Sequence, residues 1–127
     1  MSDKSMRTDL GRVRGLGSAK EGVHHWWMQR LTAIALIPLT LWFAISIAGL
    51  AGADHASTVA LLSSPIAAVA VILMVVAAYY HAALGVQVVI EDYIHHEGWK
   101  FFWLITVKFA LLVLCTAAVF SILNIAL

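Results

Sequence analysis

The sequence predicts an all-α membrane protein with three transmembrane helices, and three observations lead there. Of 127 residues, 62% are hydrophobic and only 12% charged, with a mean hydropathy of +0.91, far more apolar than a soluble domain. The charged residues are also unevenly spread. They leave three long apolar stretches, and about 20 residues rising 1.5 Å each cross a hydrocarbon core of roughly 30 Å. Finally, the formal charge is +1 and the pI about 8.0, without the basic surplus that nucleic-acid binding requires. Nucleic acid is thereby excluded as a primary partner. Cys115, the single cysteine, forms no internal disulfide and belongs to no Cys-x-x-Cys pair, so a redox centre here must use other ligands.

Residues 1–127 read as one membrane domain. Residues 1–25 form a cytoplasmic arm, expected to be extended. Gly11, Gly15, Gly17, Gly22 and Ser18 punctuate it, basic side chains recur, and no apolar period could drive packing. Gly15 and Gly17 do not make a dinucleotide loop, because no strand precedes them and the Gly-x-x-x-x-Gly-Lys-Ser/Thr pattern is missing.

Helix I is expected over about 26–53, since Leu31 to Ala53 carries no charge, with Pro38 loosening its middle. Ala51-Gly52-Ala53 resembles a cleavage site. The apolar run from Leu31 to Ala53, 23 residues with that tripeptide included, exceeds the 7–15 or so of a signal peptide, so a retained signal-anchor is expected. A loop from Asp54 to Ser64 follows. Helix II is expected over about 65–90, opened by the Ser63-Ser64-Pro65 cap. After a second loop, Glu91 to Lys100, helix III is expected over about 101–126, interrupted only by Lys108.

Lys4, Arg7, Arg12, Arg14, Lys20 and Arg30 precede helix I, while the Asp54–Ser64 loop has no basic residue. The N-terminus is therefore expected to be cytoplasmic. Trp26, Trp27, Tyr93, Trp99 and Trp103 all fall near the cytoplasmic ends of their spans, as an aromatic belt requires.

His81 lies mid-span, between Tyr79-Tyr80 and Ala82-Ala83-Leu84-Gly85. An ionisable residue there is a functional candidate, and a neutral imidazole is a good axial ligand for haem iron. The small neighbours would admit a flat macrocycle or, equally, a second helix, so packing through a hydrogen-bonded histidine stands beside haem ligation. Asp92, eleven positions on, is offset by about 20° around the axis and about 16 Å along it, followed by the Tyr93 phenol. Both are also ordinary residues at a span end. Trp26 and Arg30 share a face, placed for a cation-π contact. Arg30 either anchors the interface or fixes an anionic group. Lys108 is expected to snorkel back toward the cytoplasm. Cys115 and Met74 read as packing residues, and His55, His95 and His96 as solvated loop residues.

Three segments resemble the family of hydrophobic membrane-anchor subunits of succinate dehydrogenase, respiratory complex II, in its alphaproteobacterial form. They are Arg12-Val-Arg-Gly-Leu-Gly-Ser-Ala-Lys-Glu-Gly22, His24-His-Trp-Trp-Met-Gln-Arg-Leu-Thr-Ala-Ile-Ala35 and His81-Ala-Ala-Leu-Gly-Val-Gln-Val-Val-Ile-Glu-Asp-Tyr93. The resemblance implies half of a haem-binding anchor bundle. A sister anchor of succinate dehydrogenase would complete it, and the two together would hold the iron-sulfur and flavoprotein subunits to the bacterial cytoplasmic (inner) membrane. It implies no independent active site in this chain. His81 would be one axial ligand of haem b, the other coming from the sister anchor. Tyr93 would hydrogen-bond a ubiquinone carbonyl with Asp92 beside it, and Arg30 and His24 would lie near the haem propionates. The doubled His24-His25 leaves the matching imidazole open, and Lys108 has no family counterpart. A structural anchor without haem, a fumarate reductase anchor and a small transporter component are the competing readings.

Overall fold

The computed structural model describes residues 8–14 and 20–127. Five helices follow in order: α1 (Asp9–Val13), α2 (Lys20–Gly49), α3 (His55–Leu62), α4 (Pro65–Tyr93) and α5 (Glu97–Ala126). The helices α2, α4 and α5 are long and apolar enough to span a membrane over Gly22–Gly49, Pro65–Tyr93 and Glu97–Ala126. The chain is an all-α, multi-pass membrane protein.

Each long helix overruns one of its expected bounds, while α2 stops at Gly49, short of the end expected at 53. Lys20, Glu97 and Tyr93 lie inside helices, beyond the starts expected at 26 and 101 and the end expected at 90. Charge keeps a residue out of hydrocarbon but not out of a helix, so spans read from charge are shorter than the helices containing them. At the start of α5, His96 Nδ1 accepts from the Trp99 amide at 3.5 Å, Glu97 occupies the first turn, and Glu97 pairs with Lys100 at 3.0 Å. The arm is helical at α1 and from Lys20 onward, which corrects the extended reading there; residues 1–7 and the Gly15–Gly17 region lie outside the described residues.

The expected Asp54–Ser64 loop contains α3. Asp54 is its N-cap, accepting from the Ser57 hydroxyl at 2.6 Å and the Ser57 amide at 3.0 Å. These two bonds, the hydroxyl's first, hold the Asp54 carboxyl below its ordinary value. Gly52, at φ +82°, makes the turn that precedes it. At α4, Ser64 is the N-cap and Pro65 opens the helix, but the Ser64 side chain makes no capping bond. Pro38 does not interrupt α2; membrane helices tolerate proline where neighbouring groups satisfy the carbonyl it leaves without a donor.

The middle layer of the fold is α4. It packs against both α2 and α5, which do not touch one another among the described residues, while α3 leans on α4 and α5. Burial follows that order: Ala67, Ala68, Val71, Leu84 and Ile90 of α4 are buried, Thr32 alone is buried on α2, and no residue of α5 is. Ile37, Ile45, Phe109, Leu112 and Phe120 are each more than half exposed. Leaving such side chains in water costs about 2 kcal/mol apiece, against a net stability of roughly 5–15 kcal/mol for a domain. The outer faces therefore need an apolar medium or further helices. Hydroxyls within the spans are satisfied locally: Thr40, Ser46, Thr106, Thr116 and Ser121 each donate to the carbonyl four residues back.

Candidate functional site

A polar stripe on α2 faces α4. His25, Gln29 and Thr32 recur at helical spacing, and the last two meet His81 of α4. Thr32 Oγ1 lies 2.9 Å from His81 Nδ1 and also donates to the Met28 carbonyl at 2.9 Å, with the Gln29 carbonyl at 3.1 Å. Because the hydroxyl proton is directed to the backbone, Thr32 accepts from His81 Nδ1–H. That fixes the tautomer and leaves the Nε2 lone pair free to accept. Gln29 Nε2, 3.1 Å away, donates to it.

Around this contact opens a groove of about 970 Å³, lined on α2 by Gly22, His24, His25, Trp26, Gln29, Arg30 and Ala33, on α4 by His81, Leu84, Gly85, Gln87, Val88 and Glu91, and by Lys108 of α5. Two buried polar atoms at its wall, His25 Nε2 and Gln29 Oε1, have no hydrogen-bond partner among the described residues. Such atoms are uncommon and require a reason. Of the doubled histidines both line the groove, but His25 is half-buried with its ring nitrogen enclosed, whereas His24 is exposed. The Arg30 guanidinium sits 5.5 Å from the centre of the Trp26 ring, which in turn stacks on Trp27 at 5.9 Å. Anchoring and groove lining thus coexist in Arg30.

Asp92 and Tyr93 are exposed at the end of α4 and line neither this groove nor the smaller one between α4 and α5. The acid at the mouth is Glu91, whose Oε1 accepts from Gln87 at 2.8 Å. Asp92 shares the His81 face but lies three turns beyond it. No group of three or more His, Cys, Asp or Glu side chains placed to hold a metal ion exists among the described residues. Gln29, Thr32 and His25 do not stand out in the sequence by residue type, although their spacing of four and three sets them on one face of α2.

The sequence model describing the succinate dehydrogenase/fumarate reductase transmembrane subunit matches residues 4–123. The chain belongs to that family. It is 40% identical over 88 residues to a succinate dehydrogenase hydrophobic membrane anchor subunit of Rickettsia bellii, covering 69% of this chain and 70% of the relative. It is 35% identical over 94 residues to that of Rickettsia conorii, covering 72% and 73%. The anchor of Paracoccus denitrificans is 35% identical over 81 residues, covering 64% and 63%. No solved structure matches. The expected family, its alphaproteobacterial character and the three-span plan are borne out.

For this family the resemblance implies a b-type haem, and the chain's residues fit one. His81 presents an Nε2 lone pair with Nδ1–H held from behind, as ligating histidines do. The groove beside it is walled by two unpartnered polar atoms and carries Arg30 toward its mouth. Gly85 leaves room: a Cβ there would meet only Gln29 Nε2, at an ordinary 3.7 Å.

Proposed function

We propose that this chain is the anchor of a succinate:quinone oxidoreductase that holds a b-type haem through His81 and contributes to a ubiquinone site. The observation that carries the reading is the groove beside His81, walled by two buried polar atoms, His25 Nε2 and Gln29 Oε1, without partners among the described residues. Gln29 has to swing aside for ligation, and its long side chain permits that. The haem, when bound, supplies a one-electron carrier within the membrane. Arg30, with His24 and His25, would bind its propionates by charge-assisted hydrogen bonds. A second membrane anchor would supply the other ligand, as the family resemblance implies.

Tyr93 would donate its phenolic hydrogen to a quinone carbonyl, with Asp92 orienting that hydroxyl or handling protons from water. At 78% exposed, Tyr93 makes no enclosed site alone; the iron-sulfur subunit and the second anchor would form the remaining walls. Succinate oxidation belongs to the flavoprotein subunit, from which electrons reach ubiquinone through the iron-sulfur subunit. The complex lies in the bacterial cytoplasmic membrane with this chain's N-terminus inside, as its basic residues direct.

The competing reading, a purely structural anchor, is favoured by one fact: both nitrogens of His81 are satisfied by α2. It leaves the groove and its two unpartnered polar atoms unexplained. Purification of the complex through a tag on this chain tests the proposal. A succinate:ubiquinone reductase containing b-type haem supports it; a quinone-active complex without haem supports the structural reading.

A further inference from the structure

We propose that Lys108 is a carboxylate-binding residue of the His81 groove, forming with Arg30 a two-sided cationic clamp. This rests on the haem reading above, whose macrocycle carries two propionates, and assigns the second of them a partner on the third span.

Lys108 belongs to α5, which does not touch α2, yet it lines the same groove as Arg30 and His81. It also lines the second groove with Tyr80, Ala83, Leu84 and Gln87, and the helix rise on either side of the short turn from Tyr93 to Glu97 sets its backbone about level with His81. Leu84 and Gln87 lie three and six residues beyond His81, about 5–9 Å toward the loop joining α4 to α5. Arg30 precedes Thr32, the residue touching His81, so it is displaced toward the same end. The Lys108 backbone is thus about level with the imidazole, and Arg30 is displaced from it toward the end of the groove nearest the α4–α5 turn. Snorkelling now has a destination: the tilt of a helical side chain toward its own N-terminus carries the ammonium toward the groove mouth.

Charge points the same way. Arg30 and Lys108 line the groove against one carboxylate, Glu91, which is engaged by Gln87. Among the described residues the one ion pair is Glu97 with Lys100, which leaves Lys108 without a counter-ion there. A lysine in a span is costly unless paired. Lys108 also lies about 16 Å along α5 from Glu97, below the level of lipid headgroups. An anion that meets it within the groove can be carried there on an apolar body, as a macrocycle's carboxylates are.

The experiment uses the whole purified complex in wild-type, Lys108→Gln and Lys108→Arg forms, with potentiometric titration of the haem and its transfer to an excess of apomyoglobin. Loss of the cation disfavours the reduced, more negative form. Lys108→Gln is expected to lower the midpoint potential by up to about 59 mV, a tenfold change in the oxidised-to-reduced ratio, and to speed haem transfer; Lys108→Arg is expected to restore both. An unchanged potential and transfer rate in Lys108→Gln overturns the clamp. A Lys108→Gln complex that sheds subunits while its haem keeps the wild-type potential makes Lys108 a partner-pairing residue and also overturns it. Absence of b-type haem from the wild-type complex defeats the underlying haem reading and the clamp together.

Discussion

Replacing Thr32 with valine removes one hydroxyl while keeping the side chain's shape, and it isolates the contact on which the site depends. Thr32 is 9% exposed, and its oxygen accepts from His81 Nδ1–H at 2.9 Å while donating to the Met28 carbonyl. An interhelical hydrogen bond in a membrane is worth about 0.6 kcal/mol on average and up to about 1.7. Leaving the buried Nδ1–H unpaired costs about 1–3 kcal/mol. If that loss falls on the alignment of the ligand, haem affinity drops roughly ten- to a hundredfold, the range seen when the partner of a ligating histidine is removed. The sign of the redox effect is also fixed. Without an acceptor on Nδ1–H the imidazole is a weaker donor, the oxidised iron loses more than the reduced, and the midpoint potential rises. Thr32→Ser, which keeps the hydroxyl, should behave as wild type. Titration of the haem in the three complexes, with transfer to apomyoglobin as the affinity readout, decides the matter. A Thr32→Val complex with wild-type potential and retention would refute the claim that Thr32 orients His81.

Three further outcomes are expected. Tyr93→Phe should slow succinate-to-ubiquinone transfer by roughly the value of one hydrogen bond, about tenfold per 1.4 kcal/mol, while succinate oxidation by a soluble acceptor persists; equal loss of both would make Tyr93 an assembly residue. A phosphatase fused near Ala56 should be active and one fused near His96 inactive, and the reverse pattern would invert the topology. The Asp54 carboxyl is held below its ordinary value of 3.8 by Ser57, so its stabilisation of α3 is present above 3.8 and is lost as pH falls through the lower folded value. Exchange of the Ser57 amide should accelerate in that acid range, and Asp54→Ala should exchange faster above it with no acid step.

The three spans were legible because hydrocarbon enforces a simple pattern of charge exclusion over a fixed thickness. The same rule hid the true helix ends at Lys20, Tyr93 and Glu97, since helices continue into the interface. It also hid α3, whose cap at Asp54 is a local signal inside what composition marks as a loop. In the site, His81 stood out as an ionisable residue in a span. Its partners did not: Gln29 and Thr32 are common residues whose meaning comes from facing His81 across two helices, and no spacing within one helix reveals which helices meet. That both His24 and His25 line the groove likewise depended on the direction α2 turns toward α4. Lys108 read as an isolated snorkelling lysine because nothing in the sequence shows that α5 reaches over α4 into the groove.

The central claim is that His81 binds the iron of a b-type haem. The direct measurement is the reduced-minus-oxidised spectrum of the complex carrying His81→Ala, recorded at equal amounts of the flavoprotein subunit beside the wild type. The expected result is a b-type haem signal in the wild type that is lost or altered in the variant, with all three spans still inserted. A variant spectrum identical to the wild type at equal haem content would contradict it, assigning the ligand to another residue and leaving His81 as a packing group between α2 and α4.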